Sequence, residues 1–131
     1  MRIIASMRSC PVTVLIVDDD ESIRQMLGEL FRLSGFAVLE ADNGRAGLET
    51  ACHRQPDLIV CDYRMPVMSG LDMLRSYREH TVGEKVPVIL TAGYSDRICD
   101  EYVQRDDRVR LVPKPFLLQE LLDAAESLMA E

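Results

Sequence analysis

Residues 13–35 read TVLIVDDDESIRQMLGELFRLSG and contain a change of hydrophobic period. The first five are β-branched or aliphatic without interruption, which indicates a strand that is buried on both faces. Three aspartates end that strand, and from Glu21 onward apolar residues repeat at helical spacing until Ser34-Gly35, a typical helix stop. The stretch therefore predicts a strand, an acidic turn and an amphipathic helix. The helix residues expected to face the core are Ile23, Met26, Leu27, Leu30 and Phe31.

The same alternation of strand and helix repeats four more times along the chain. The further predicted strands are Ala37–Ala41, Leu58–Asp62, Pro87–Thr91 and Val109–Val112. Helices are predicted before Pro56, after Ser69-Gly70, weakly over about 95–103, and at the end of the sequence, where Leu118, Leu121, Leu122, Ala125 and Leu128 form a stripe. Parallel strands need crossover connections, and here the crossovers are helices. The predicted fold is α/β, with one doubly wound, five-stranded parallel sheet flanked by five helices.

Length and composition limit the class of protein. A chain of 131 residues, 47% hydrophobic and 28% charged, is sufficient for one folded domain. We expect a flexible leader over residues 1–11, or a start at Met7, followed by the domain over 12–131. The formal net charge of −7 disfavours direct contact with nucleic acid or anionic lipid.

The cysteines and the apolar segments point to the cytoplasm. Cys10, Cys52, Cys61 and Cys99 are scattered, without the spacing of a disulfide framework or a zinc site. No segment approaches the roughly 20 apolar residues that cross a membrane. We therefore predict a cytoplasmic protein with reduced thiols and no membrane contact.

Polar residues interrupt or follow the apolar strands at one edge of the predicted sheet. They are Asp18 and Asp19 after the first strand, Asp62 at the end of the third, Thr91 at the end of the fourth and Lys114 after the fifth. Each one alone is explained by a helix cap, a turn or a solvated lysine. Together they lie at the carboxyl ends of parallel strands, where ligands bind in such sheets.

Chemistry follows if the three aspartates meet at this edge. Crowded carboxylates repel one another unless a cation lies among them or one keeps its proton, and oxygen ligands without His or Cys favour Mg²⁺. A carboxylate beside Mg²⁺, facing Lys114 and the Thr91 hydroxyl, is equipped to accept a phosphoryl group. No His or Glu in these motifs is an evident general base, so we expect slow hydrolysis and a switch, not a turnover enzyme.

These residues resemble the receiver domain of two-component response regulators from Val14 to about Met129. The matching stretches are residues 15–20 (LIVDDD), residues 56–66 (PDLIVCDYRMP) with Ser69-Gly70, residues 87–93 (PVILTAG) and Lys114-Pro115-Phe116. The resemblance implies a flavodoxin-like sheet of strand order 2-1-3-4-5 and a phosphoacceptor at Asp62. It implies Mg²⁺ ligands at Asp18, Asp19, Asp62 and the Arg64 backbone carbonyl, phosphoryl-binding and switch residues at Thr91, Ala92 and Lys114, and a cis Lys114-Pro115 bond.

The resemblance also implies partners. The phosphoryl donor is expected to be a sensor histidine kinase or a histidine phosphotransfer protein, and the output a downstream protein or a second copy of the chain. Leu111 departs from the family pattern, which has Tyr or Phe there, so the usual aromatic switch is in question. Residues 104–110 depart as well and suggest a shortened fourth helix of the kind found in receivers joined to histidine kinases.

Other functions remain open from the sequence. The chain could be a receiver fragment of a hybrid histidine kinase, or a receiver-like scaffold that no longer uses phosphorylation. A phosphohydrolase of the haloacid-dehalogenase kind needs a second Asp two positions after the nucleophile, where this chain has Arg64. A flavin-binding domain of the same fold needs a phosphate loop rich in Ser, Thr and Gly after the first strand, where this chain has three aspartates.

Overall fold

A five-stranded parallel sheet organises the protein, which the computed structural model describes over residues 11–93 and 101–130. The strands are β1 (Thr13–Val17), β2 (Ala37–Ala41), β3 (Leu58–Asp62), β4 (Val88–Ala92) and β5 (Val109–Pro113). The helices are α1 (Glu21–Leu33), α2 (Gly44–Arg54), α3 (Gly70–Arg78), α4 (Glu101–Arg105) and α5 (Leu118–Met129), with a 3₁₀ turn at Thr81–Gly83. The strand order β2-β1-β3-β4-β5 confirms the predicted doubly wound α/β sheet.

The first helix begins and ends where its sequence predicts. The side chain of Asp20 accepts hydrogen bonds from the backbone N–H groups of Ser22 and Ile23, which satisfies two donors that have no partner within α1. After α1, Gly35 takes a φ of 94°, a left-handed conformation that glycine adopts without steric penalty. The three aspartates after β1 thus serve two purposes, because the third caps the helix that follows.

Several details differ from the sequence prediction. Strand β4 begins at Val88, not Pro87, since proline has no N–H to donate to the ladder. Met26 is 43% exposed and not part of the core, because the buried side of α1 is centred on Leu27 and Phe31. Leu118 is 37% exposed as well, in the first turn of α5 before the buried stripe begins.

Some predicted features fall wholly or partly outside the described residues. Of the expected leader, only Pro11 is described, and it is exposed. The expected helix over 95–103 is described from residue 101 onward, as α4. Within the described ranges, no helix is both long enough and apolar enough to cross a membrane.

The sheet separates two apolar cores, and strand alternation assigns residues to one or the other. Side chains on the α1 and α5 side include Ile16, Val60, Ile89 and Val112. The other core, against α2 and α3, includes Leu15, Val17, Cys61 and Leu90. Successive side chains of a strand point to opposite faces, so every second residue lies on the same face. The residues two positions after Ile16, Val60, Ile89 and Val112 therefore lie on the α1 and α5 side. Those positions are Asp18, Asp62, Thr91 and Lys114.

Candidate functional site

Three carboxylates meet at the carboxyl edge of the sheet. Asp18 and Asp19 follow β1 and Asp62 ends β3, and because β1 pairs directly with β3 their side chains converge. One oxygen from each can be chosen so that all three lie within 4.8 Å of one another. Asp18 and Asp62 are buried and Asp19 is exposed, so the cluster has one side open to solvent. This is an all-oxygen set of the kind that hard divalent cations take.

Lys114 contacts one of these carboxylates directly. Its Nζ lies 3.1 Å from Oδ1 of Asp62, and the two side chains are 26% and 8% exposed. The Asp62 carboxylate also accepts a hydrogen bond from the backbone N–H of Arg64 in the loop after β3. Asp62 is therefore a buried anion held between one ammonium group and two other acidic groups.

Burial makes the negative charges costly. The pKa of Asp18 is raised to about 6, chiefly by burial and also by the negative charge of Asp62, while the hydrogen bond from the Asp20 backbone N–H and the charge of Lys114 oppose the rise. The pKa of Asp62 is also raised by burial, and its contact with Lys114 opposes this shift. A divalent cation among the three groups would offset both the burial of these charges and their mutual repulsion.

The other predicted site residues lie at the ends of β4 and β5. Thr91 is the register partner of Asp62 across the β3–β4 pair and is 2% exposed. The backbone N–H of Lys114 donates to the Ala92 carbonyl at 2.7 Å, and the N–H of Tyr63 donates to the Thr91 carbonyl at 2.7 Å. The end of β4 thus holds the chain segments that follow β3 and β5.

The remaining predicted residues are placed around this edge. The Lys114-Pro115 peptide bond is cis. Arg64 is exposed, two residues beyond Asp62. Leu111 lies on β5 and is 37% exposed, so the position that is usually aromatic carries a partly solvated aliphatic side chain.

The connection from β3 into α3 has two features that sequence reasoning missed, one at Gly70, the first residue of α3, and one at Val67 in the loop before it. A Cβ at Gly70 would overlap the backbone carbonyl oxygen of Asp62, so only glycine permits this approach of α3 to the end of β3. Val67 is 79% exposed and has a φ of 72°, a strained conformation for a β-branched residue. The Ser69-Gly70 pair before the predicted helix is the sequence signal for the first feature, whereas the strain at Val67 has no mark in the sequence.

Arg24 was also missed. Its Nη1 donates to the backbone carbonyl oxygen of Asp18 at 2.8 Å, while its Nε lies 3.3 Å from Oε1 of Glu40 on β2. This contact depends on how α1 crosses the edge strand, which the local sequence pattern does not specify.

Comparison with known proteins gives a consistent result. The family described as response regulator receiver domain matches residues 14–126. Response regulator MprA of Mycolicibacterium vanbaalenii is 35% identical over 122 residues, which are 91% of this chain and 51% of that protein. The chain thus spans about half the length of this relative.

Solved structures agree with the sheet topology. Chemotaxis response regulator CheY4 of Vibrio cholerae superposes with a TM-score of 0.82 at 27% identity, over 91% of this chain and 99% of that one. A second structure is the receiver domain of sensor histidine kinase PA1611 from Pseudomonas aeruginosa, which has a magnesium ion coordinated in its active site cleft. It superposes with a TM-score of 0.82 at 22% identity, over 93% of this chain and 100% of that one. At that identity, the second likeness shows the fold alone.

Proposed function

The chain belongs to the response regulator receiver domain family of two-component signalling, and we propose that it accepts a phosphoryl group on Asp62. The single observation that carries this proposal is the position of the Asp62 carboxylate, buried between two further carboxylates and 3.1 Å from the Lys114 ammonium. A buried charge is costly unless it is paired, and Asp62 has one cationic partner but two acidic neighbours. Here the excess of negative charge has a reason if a cation binds.

We propose that Asp18, Asp19, Asp62 and the backbone carbonyl of Arg64 hold Mg²⁺. Three carboxylate oxygens within 4.8 Å of one another suit the small radius of that ion, and the exposed side of Asp19 leaves room for water. When bound, Mg²⁺ supplies positive charge and open coordination positions for phosphoryl oxygens.

The phosphoryl transfer uses the residues of this edge in distinct roles. An Asp62 carboxylate oxygen attacks phosphorus, the phosphorus–nitrogen bond of a donor phosphohistidine breaks, and its electron pair remains on the imidazole nitrogen. Lys114 neutralises charge on the phosphoryl oxygens, and the side chain of Thr91 and the main chain at Ala92 contact the same group. Because Lys114 already pairs with Asp62, phosphorylation would transfer this contact to a phosphoryl oxygen.

Residues 12–131 act, in this proposal, as one receiver domain in the cytoplasm. The donor is a sensor histidine kinase or a histidine phosphotransfer protein, and the phosphorylated form changes its affinity for a downstream protein or for a second copy of the chain. Hydrolysis of the acyl phosphate is slow, so the chain is a switch and not a turnover enzyme. We propose that this acidic domain does not bind nucleic acid itself. The proposal concerns the domain alone, because the relatives contain further sequence that this chain does not cover.

The experiment is intact-mass spectrometry after incubation with phosphoramidate, a small donor with a phosphorus–nitrogen bond. The expected result is one added phosphoryl group that requires Mg²⁺ and is absent from Asp62→Asn. The matched control is Asp42→Asn, an exposed aspartate that follows β2, which should be labelled like the wild type. A wild-type protein that binds no phosphoryl group would favour the scaffold, and steady phosphate release would favour the phosphohydrolase.

A further inference from the structure

Arg24 holds the backbone of the acidic turn from the side of α1. Its side chain is 16% exposed and contacts two groups with different nitrogens. Nη1 donates to the Asp18 carbonyl oxygen at 2.8 Å, and Nε lies 3.3 Å from Oε1 of Glu40. A planar guanidinium can reach both partners at once, whereas a single ammonium group is a point donor.

The turn after β1 is consequently fixed at three points. The backbone N–H of Asp18 donates to the Ala41 carbonyl at 3.1 Å, and the Asp18 carbonyl accepts from Arg24. Its side-chain Oδ1 accepts from the backbone N–H of Asp20 at 2.9 Å. These bonds set the direction in which Asp18 and the following Asp19 leave the strand. Two of them join the turn to other elements, one to Ala41 at the end of β2 and one to Arg24 on α1.

Glu40 is itself held in place. Its second oxygen, Oε2, lies 3.3 Å from Nη2 of Arg32, about two helical turns beyond Arg24 along α1. Gly28 lies next to this ion pair, because a Cβ there would come within 3.3 Å of Arg32 Nη1 and 3.5 Å of Glu40 Oε2. Helix α1 therefore contacts the edge strand through Glu40, and Arg24 extends that contact to the acidic turn.

We propose that Arg24 is a positioning residue for the cation site formed by Asp18, Asp19 and Asp62. This inference rests on the proposed function, since it requires that the site binds Mg²⁺. Mg²⁺ demands nearly ideal octahedral geometry with short ligand distances, so a shift of the turn weakens binding. Groups that orient ligands without touching the metal typically change its affinity 10- to 100-fold when removed.

The charge of Arg24 and its positioning role predict opposite effects of its removal on Mg²⁺ affinity, which makes the proposal testable. A guanidinium close to a cation site repels the cation through space, so removal of the charge alone would strengthen Mg²⁺ binding. If Arg24 acts by positioning, its removal weakens Mg²⁺ binding despite the lost repulsion. Arg32 offers a matched control, because its removal changes the net charge equally but frees no backbone group of the acidic turn.

The experiment is a titration with MgCl₂ at constant ionic strength, followed through the amide NMR signals of residues 62–64. It compares the 131-residue wild-type chain with Arg24→Gln, Arg24→Lys and Arg32→Gln. We expect the dissociation constant for Mg²⁺ to be about tenfold higher for Arg24→Gln and to rise less for Arg24→Lys. For Arg32→Gln it should change by less than about twofold. The unfolding temperature of each variant in EDTA is measured separately.

Each outcome decides something. Unchanged or tighter Mg²⁺ binding by folded Arg24→Gln would overturn the inference and leave the proposed function intact, as would a variant that loses only thermal stability. If Arg24→Gln does not fold, Arg24→Lys takes its place, and wild-type affinity in that variant would overturn the inference. A wild type that binds no Mg²⁺ would contradict the proposed function itself, and the inference with it.

Discussion

Replacement of Asp18 by Asn should stabilise the metal-free protein at neutral pH. Asp18 is 2% exposed, and its carboxylate lies close to those of Asp19 and Asp62. Asn has nearly the same shape, and its side-chain oxygen can still accept the hydrogen bond from the Asp20 backbone N–H. The substitution therefore removes a buried charge while it keeps the local contacts.

The size of the effect follows from the pKa of Asp18, which is raised from 3.8 to about 6. At about 1.4 kcal/mol for each tenfold change in proton affinity, ionisation of Asp18 destabilises the folded protein by about 3 kcal/mol at neutral pH. The folded state holds this proton more tightly than the unfolded state between about pH 4 and pH 6. The free energy of unfolding therefore falls as the pH rises through that window, and the penalty is absent below it. We expect Asp18→Asn to gain about 1–3 kcal/mol, because a buried amide carries some desolvation cost of its own.

Urea unfolding followed by far-UV circular dichroism in EDTA measures this difference, at pH 7.5 and at pH 4.5. The gain of Asp18→Asn over the wild type should be present at pH 7.5 and mostly lost at pH 4.5. Added Mg²⁺ should stabilise the wild type more than the variant, since it binds the folded state. Asp42→Asn, at an exposed position, should change the free energy of unfolding by less than about 0.5 kcal/mol. An Asp18→Asn protein that is no more stable than the wild type at pH 7.5, or equally shifted at both pH values, would refute the reasoning.

Three further substitutions test the loops and the opposite edge of the sheet. Val67→Asn should raise the free energy of unfolding by about 0.5–1 kcal/mol in the same urea assay, because Asn tolerates the φ of 72° better than Val, while Val82→Asn should give no gain. Gly70→Ala should lower the free energy of unfolding by more than about 2 kcal/mol and reduce phosphoryl labelling, since its Cβ would overlap the Asp62 carbonyl. Wild-type labelling and stability would contradict the close approach of α3 to the end of β3. Arg78→Met should lower the free energy of unfolding by about 3 kcal/mol, because the Arg78 side chain is 9% exposed and contacts Asp106 and the carbonyls of Gly83 and Val86. Phosphoryl labelling of the folded fraction should persist. A variant as stable as the wild type would contradict the expectation.

The sequence predicted the positions that alternation of side chains controls. Uninterrupted apolar runs gave β1, β3 and β4 within one residue, because a central parallel strand is buried on both faces. The same alternation brings Asp62, Thr91 and Lys114 to one face at one edge, so the candidate site could be proposed before any coordinates. The outcome rests on backbone periodicity, which is a local property.

Features that depend on how elements pack could not be predicted. Met26 fits the helical stripe of α1, yet the helix is rotated so that Leu27 and Phe31 fill the core and Met26 is exposed. Arg78 at the end of α3 has the pattern of a solvated cation, but the loop before β4 and Asp106 enclose it. Arg24 reaches Glu40 only because α1 crosses the edge strand β2. These contacts join residues that no local pattern relates.

The central claim is that Asp62 itself carries the phosphoryl group, and chemical trapping tests it most directly. Borohydride reduces an acyl phosphate of aspartate to homoserine, which peptide mass spectrometry then locates in the sequence. After incubation with phosphoramidate and Mg²⁺, we predict homoserine at residue 62 and none in a sample that contains EDTA. Homoserine at residue 18 or 19, or a phosphoryl group that borohydride does not remove, would contradict the account.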